Sequence, residues 1–277
     1  MRCTLAKKKQ LPVNIVQNSK NRKLSALKPT YNVVTTYTEV GPTCPTECWF
    51  HPKSVHTAMR EELKLKACYT KKGPTNFLVS AKAFQDADFT KLGIDDVARV
   101  FDGILTMHKY RRKHVDLIRW QTGGDLLHPW TGVVWDEFVD LILDVAAFSR
   151  PLGIPTIGFT ATWRDPKVQR LKGFFHASVQ TPDDSAHAID LGWSVAYAVL
   201  ESLVPHAIKT IKELPTPLPV VYCPEQSGRA ESCADCGLCC VVDPAAITPH
   251  PLEPKYMLYR RKVGEYLIPM NVVFKNH

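Results

Sequence analysis

Apolar positions recur along this chain with two periods that take turns. Residues 31–40, YNVVTTYTEV, are rich in β-branched and aromatic side chains and predict a strand. Residues 54–66, SVHTAMREELKLK, have helix-forming composition, with Glu61 and Glu62 ahead of Lys64 and Lys66. Between Asp95 and Tyr110, Val97, Val100, Phe101, Ile104 and Leu105 fall on one stripe, the pattern of a helix packed on a sheet. HVDLIRWQTGGD then predicts a buried strand ending in a glycine pair. DEFVDLILDVAAFSR predicts an amphipathic helix with acidic residues in its first turn, stopped by Pro151.

IPTIGFTATW and FFHASVQT predict two further strands. A mixed segment follows to Ala186, with Asp183 and Asp184 suited to a turn or helix cap. Residues 188–203 fit either a helix or a turn plus strand. A short helix over His206–Leu214, a strand in LPVVYCPE and another near MNVVF complete the series. Strands apolar throughout, alternating with helices, predict an α/β protein with a mainly parallel sheet, built as a complete or partial TIM-like barrel. Trp120, Phe159 and Trp163 are expected to pack inside it. The division expected is a basic arm over residues 1–30, a barrel-like domain over 31–222, and a cysteine-rich loop and tail over 223–277.

The net charge of +8 adds one element to this picture, because its Lys and Arg gather near the N-terminus and in HKYRRKH at 108–114. Such a field attracts polyanions, which makes nucleic acid a candidate partner, although no helix-turn-helix or RNA-binding signature accompanies it. No run approaches the roughly eighteen apolar residues of a membrane span. No apolar stretch follows the basic N-terminus as in a secretory signal, so a cytoplasmic setting is expected. P-loop, Rossmann, H-E-x-x-H and nucleophile-elbow motifs are missing from the sequence.

Cysteine changes the picture most. There are nine, an odd number, and eight lie in two groups about 150 residues apart. Without an export signal, grouped thiols point to metal rather than to disulfides. The C-terminal group is CPEQSGRAESCADCGLCC: Cys223, Cys233, Cys236 and Cys239 as C-x9-C-x2-C-x2-C, with Cys240 adjacent. Three thiolates at x2 spacing suit successive corners of an iron–sulfur cube, and Gly228 and Gly237 free the backbone to turn around it. Zinc, the alternative, more often uses two well-separated pairs.

The N-terminal group begins GPTCPTECWFHPK, with Cys44 and Cys48 at C-x3-C, aromatic Phe50, and then His51. This resembles the radical SAM superfamily, whose Cys-x3-Cys-x-aromatic-Cys signature follows the first barrel strand. The resemblance implies a [4Fe-4S] cluster on three thiolates, with S-adenosylmethionine chelated to the remaining iron. His51 stands where that signature has its third cysteine, so the third ligand is either His51 or Cys68; thiolate is the usual donor and favours Cys68.

The same family ends a barrel strand with Gly-Gly-Glu against the methionyl amine. Gly123, Gly124 and Asp125 stand in an equivalent place and would contact the cofactor. The chain also resembles a group of phage-encoded radical-SAM-like barrels with an N-terminal Cys-Pro loop and a C-terminal CPEQ…C..C..C loop. That likeness places it in the cytoplasm of a host cell. It implies one or two [4Fe-4S] clusters, a second one on Cys223, Cys233, Cys236 and Cys239, and an electron donor as partner. The alternative function is a non-catalytic protein, stabilised by iron–sulfur or zinc, that binds nucleic acid or another partner.

Overall fold

The computed structural model describes residues 13–17, 32–51, 53–62, 68, 94–111, 115–216, 219–236, 239, 262–263, 266–267 and 271–275. Its centre is an eight-stranded sheet, largely parallel, with helices between successive strands. The strands are β1 (Asn14–Val16), β2 (Val33–Tyr37), β3 (Leu117–Gly123), β4 (Thr156–Thr160), β5 (Phe175–Val179), β6 (Val195–Val199), β7 (Val220–Tyr222) and β10 (Asn271–Lys275). The pair β8 (Lys262–Val263) and β9 (Tyr266–Leu267) forms a separate two-stranded unit. The main sheet runs β1-β2-β3-β4-β5-β6-β10-β7, and only β1 is antiparallel to its neighbour.

The helices are α1 (Thr57–Glu62), α2 (Ile94–Arg111), α3 (Asp136–Ser149), α4 (Pro182–Asp190), α5 (Val204–Glu213) and the single turn α6 (Cys233–Cys236). The stripe Val97, Phe101, Ile104 and Leu105 of α2 is buried with Phe138, Val139 and Ile142 of α3 in one core. Those side chains meet Val34, Ile118, Trp120, Phe175, Ala177, Val195, Tyr197 and Val273, one alternate set of strand residues. Asp136 and Glu137 open α3 as expected, where the helix dipole favours acid, and Asp136 also pairs with Lys167. Thr181 caps α4 by accepting from the Asp184 amide, so Asp183 and Asp184 form the acidic first turn of that helix.

The other alternate set faces the opposite side, and it shows how the sheet bends. Register pairs Val33 with Leu117, Arg119 with Ile157, Phe159 with His176, and Ala198 with Phe274. Phe159 on β4 and Phe274 on β10 touch edge to face, with ring centroids 5.5 Å apart. These strands are three places apart, or about 14 Å in a flat sheet. The sheet is therefore strongly curved, and this second set lines its concave face. Strands that follow one another in sequence and connect by right-handed crossovers place their helices on one face and leave the other to be filled from elsewhere.

The expectation of a complete barrel is corrected: the two edges, β1 and β7, do not pair with each other. Each edge strand has three half-buried residues and pairs with a single neighbour, β1 with β2 and β7 with β10. Two segments differ from the sequence reading, and a third, residues 188–203, resolves to its turn-plus-strand alternative. Residues 14–16, inside the stretch read as an arm, add a strand to β2. Residues 188–203 divide between the end of α4, the strand β6 and a short turn of helix at Glu201–Leu203. The strand near MNVVF does not trail behind but inserts between β6 and β7.

Candidate metal centre

The site is built where β2 and β3 end. Their register slips between Thr35 and Tyr37, so β3 spends extra residues opposite β2. Gln121 takes up the slack with φ of 46°, a left-handed conformation unusual for a residue with a side chain. Its amide donates to Thr36 Oγ1 at 2.9 Å and its side-chain nitrogen to the Asp125 carbonyl at 2.8 Å. Thr43, one residue before Cys44, donates to the Glu39 carbonyl at 2.7 Å and accepts from the Asp125 amide at 3.0 Å. With its single proton used, Thr43 Oγ1 accepts from Thr38 Oγ1 at 3.0 Å. Gly124 has φ of 82°, and a Cβ there would overlap Thr38 Oγ1 and stand 2.8 Å from the Thr38 carbonyl oxygen. Glycine at 124 thus lets the strand ends close on each other.

Asp125 is buried and its carboxylate is in full use. Oδ1 accepts from Thr160 Oγ1 at 2.6 Å and the Leu126 amide at 2.9 Å, and Oδ2 from the Ala161 amide at 2.7 Å. It clamps the end of β3 to the end of β4. Burial pushes its carboxyl up to about 6, against the opposing pull of those hydrogen bonds.

Cys44 and Cys48 sit on tight turns: the Cys44 amide bonds the Gly41 carbonyl, the Cys48 amide that of Pro45, and the His51 amide that of Cys48. Trp49 is buried and stacks on His56 at 5.2 Å, which roots the loop. Burial raises the Cys44 thiol well above its ordinary value, and the charges of Asp125, Cys48 and Cys68 raise it further. Cys48 is pushed up to about 12, by burial first and then by Asp125 and Cys68. Cys44 and Cys48 therefore lie within electrostatic reach of both Cys68 and the Asp125 carboxylate. Cys68 packs beside Tyr37 and Val40 at the end of β2.

His51 is placed differently. Its Nδ1 accepts from the Lys53 amide at 2.9 Å, so Nε2 carries the proton and donates to the Gly41 carbonyl at 3.0 Å. Both ring nitrogens are spent on the loop's own backbone.

A cleft of about 870 Å³ opens beside this loop, lined by Cys44 and His51 on one side and by Ala161 and Thr162, just past β4, on another. Lys53, Arg164, Glu47 and Asp165 give its wall charge of both signs. Arg164 lies over the Trp163 ring at 4.0 Å and pairs with Asp184. Gly123, Gly124 and Asp125 hold the cleft's framework but are not among the residues that line it.

The C-terminal loop lies against the concave face of the sheet. Cys223 follows β7 and donates its amide to the Val273 carbonyl at 3.0 Å. Turns closing on the carbonyls of Cys223, Pro224 and Glu225 then fold the chain back, with Gly228 at φ of 74°. Cys233 and Cys239 pack on Val33, Leu117 and Ile157, as does Phe159, while Cys223, Cys236 and Cys239 pack near Val221, Val272 and Phe274. One loop thus touches strands from both ends of the sheet order.

Beneath it stands a polar group that the sequence reading passed over. Arg119 is buried over the Phe159 ring at 4.0 Å, and His176 stacks on the same ring at 5.3 Å. His176 is fully buried, and Nε2 lies 3.2 Å from the Cys239 carbonyl, so Nε2 carries the proton. Burial lowers its pKa to about 4, with the charge of Arg119 adding to the effect, so the ring is neutral. A period-two signal pointed to this face, because Arg119 and Gln121 alternate with Ile118 and Trp120, and His176 and Ser178 with Phe175 and Ala177.

No disulfide joins the described cysteines. Among the described residues no three His, Cys, Asp or Glu groups are gathered as a site for a single metal ion. An iron–sulfur cube binds each thiolate through a different iron, and so sets its ligands wider apart than one ion does. Cys44 and Cys48, whose surroundings disfavour a bare thiolate, suit a cationic iron centre. Cys240 and Gly237 lie outside the described residues, as do residues 112–114 of the basic stretch at 108–114. Among those described, no helix is long and apolar enough to cross a membrane. No family model matches this chain, and no curated protein or solved structure is similar to it.

Proposed function

We propose that the chain is an iron–sulfur protein on a partial, radical-SAM-like barrel, with a [4Fe-4S] cluster held by Cys44, Cys48 and Cys68. The observation that carries this reading is the mutual electrostatic reach of those three thiols at the end of β2, while both nitrogens of His51 are engaged with backbone. When bound, the cluster supplies a one-electron reductant and an iron open to a ligand such as S-adenosylmethionine.

The chain's own residues do the rest. Cys44 faces an open cleft, so a ligand reaching the centre enters past Ala161, Thr162 and the charged side chains at its wall. Asp125 keeps the two strand ends together behind the thiols through three accepted hydrogen bonds. Gly124 allows the close approach of Thr38 that positions the cysteine loop. Cys223, Cys233, Cys236 and Cys239 would hold a second cluster on the concave face, in electron transfer or in stabilising the sheet.

The test is anaerobic purification with iron, sulfide and zinc analysis, followed by reduction in the presence of S-adenosylmethionine. About eight irons per chain, from two clusters of four, with release of 5′-deoxyadenosine is the expected result. Zinc without sulfide would overturn the cluster assignment. An intact reduced cluster that releases no 5′-deoxyadenosine would overturn the catalytic part and leave the metal-stabilised binding protein.

A further inference from the structure

The thiols at 223–239 form the only cysteine group described on the concave face, and one side chain reaches across from the sheet to their backbone. His176 projects from β5, is fully buried, and donates from Nε2 to the Cys239 carbonyl over a sequence distance of 63 residues. Its ring is fixed by stacking on Phe159, and Phe159 packs on the same apolar cluster as Cys233 and Cys239. Cys239 is also the thiol common to both apolar contacts of the loop, toward β2–β4 and toward β7 and β10. A single hydrogen bond at Cys239 therefore acts where the loop spans the two ends of the curved sheet.

We infer that His176 is a positioning residue for the C-terminal thiol centre: its Nε2–H holds the Cys239 peptide against the concave face and so fixes where the thiols of the loop stand. The inference deepens the proposed iron–sulfur reading, but the docking of the loop does not depend on which metal the thiols take.

Three variants of the full chain separate this role from mere packing. H176F keeps an aromatic ring of similar shape and removes the donor. H176Q places an amide N–H near the position of Nε2, and H176N places it near Nδ1 instead. The first readout is the rate of Cys239 alkylation by iodoacetamide in the protein as isolated under nitrogen, with Cys44 as internal reference, by tandem mass spectrometry. H176F and H176N are expected to raise the Cys239 rate at least several-fold with Cys44 unchanged, and H176Q to stay near wild type. The second readout is the EPR spectrum of the reduced protein in a C44A/C48A/C68A background, where H176F and H176N should shift or lose the C-terminal signal and H176Q restore it.

Equal Cys239 rates in all four proteins would overturn the inference, as would a rise in H176Q equal to that in H176N. Should the chain carry zinc, the iron–sulfur reading fails while the alkylation comparison still decides the role of His176. If H176F does not fold, the contrast between Gln and Asn decides it alone.

Discussion

Asp125 offers the sharpest test of how the site is held. Its two oxygens serve three donors: Leu126 N and Thr160 Oγ1 on one, Ala161 N on the other. An asparagine of the same shape has one acceptor oxygen and one NH2. Placed with oxygen at the Oδ1 position, it keeps Leu126 and Thr160 but turns NH2 toward the Ala161 amide. Flipped, it keeps Ala161 and faces the Leu126 amide instead. Either way one backbone N–H in a buried setting loses its acceptor, a cost of about 1–3 kcal/mol. D125A strands both amides, at about 2–6 kcal/mol, a large part of the roughly 5–15 kcal/mol that keeps a domain folded. D125N is therefore the informative variant, and the wild-type chain is its reference. Urea unfolding followed by tryptophan fluorescence reads both. At a slope of about 3 kcal/mol per molar, D125N should lower the midpoint by about 0.3–1 M. A D125N midpoint equal to that of the wild-type chain would refute the picture of a carboxylate spent on both backbone amides.

Three further expectations are smaller in scope. Gly124 and Gly153 both have positive φ, 82° and 70°, but only at 124 would a Cβ meet neighbouring atoms; G153A should cost about 1–2 kcal/mol for conformation alone and G124A clearly more, read from unfolding midpoints. C68A should lower iron and sulfide by one cluster per chain while H51A retains them, because the imidazole is engaged with the Gly41 carbonyl and the Lys53 amide; the reverse result would make His51 the third ligand. Burial, with Asp184 and Asp183 adding, pushes the Tyr197 phenol up to about 12. The folded chain then holds this proton more tightly than the unfolded one, whose tyrosine titrates near 10. The contribution is whole below pH ~10 and fades as pH rises toward ~12, so Y197F should flatten the alkaline loss of stability in a pH series of melting temperatures.

How much of this was legible in the sequence depends on whether the cause was local. The stripe of α2, the acidic start of α3 and the β-branched run of β2 are local patterns, and each element formed where its pattern stood. The bulge at Gln121 is not local: its φ of 46° is held by Thr36, 85 residues away, and no property of the RWQTGGD stretch announces that partner. The same holds for β10, whose place between β6 and β7 is fixed by pairing with residues 196–199 and 220–222. Of the candidate ligands, Cys44 and Cys48 were visible as a spacing. The place of Cys68 beside them depends on the chain's return to the end of β2. Phe159 was expected simply to fill the interior, and it does face the concave side. Its two polar neighbours, Arg119 and His176, come from strands on either side and could be paired only once register was known.

Register also explains why the two cysteine groups end up served by one strand. Consecutive residues of a strand face opposite sides, so Phe159 and Thr160 of β4 have different surroundings although they are covalent neighbours. Phe159 looks into the concave face, where it packs on the same apolar cluster as Cys233 and Cys239 and stacks with His176. Thr160 ends the strand and donates to Asp125, whose charge bears on Cys44 and Cys48. The backbone between these residues is held on one side by β3 and on the other by β5. A shift of β4 by one residue would exchange the two faces and put a threonine under the C-terminal thiols and a phenylalanine against a buried carboxylate. Gly158 resists such a slip, since a side chain at that position would overlap the Phe175 ring. The alternation Gly158, Phe159, Thr160 thus fixes the register of β4, and through it the relation between the two thiol groups.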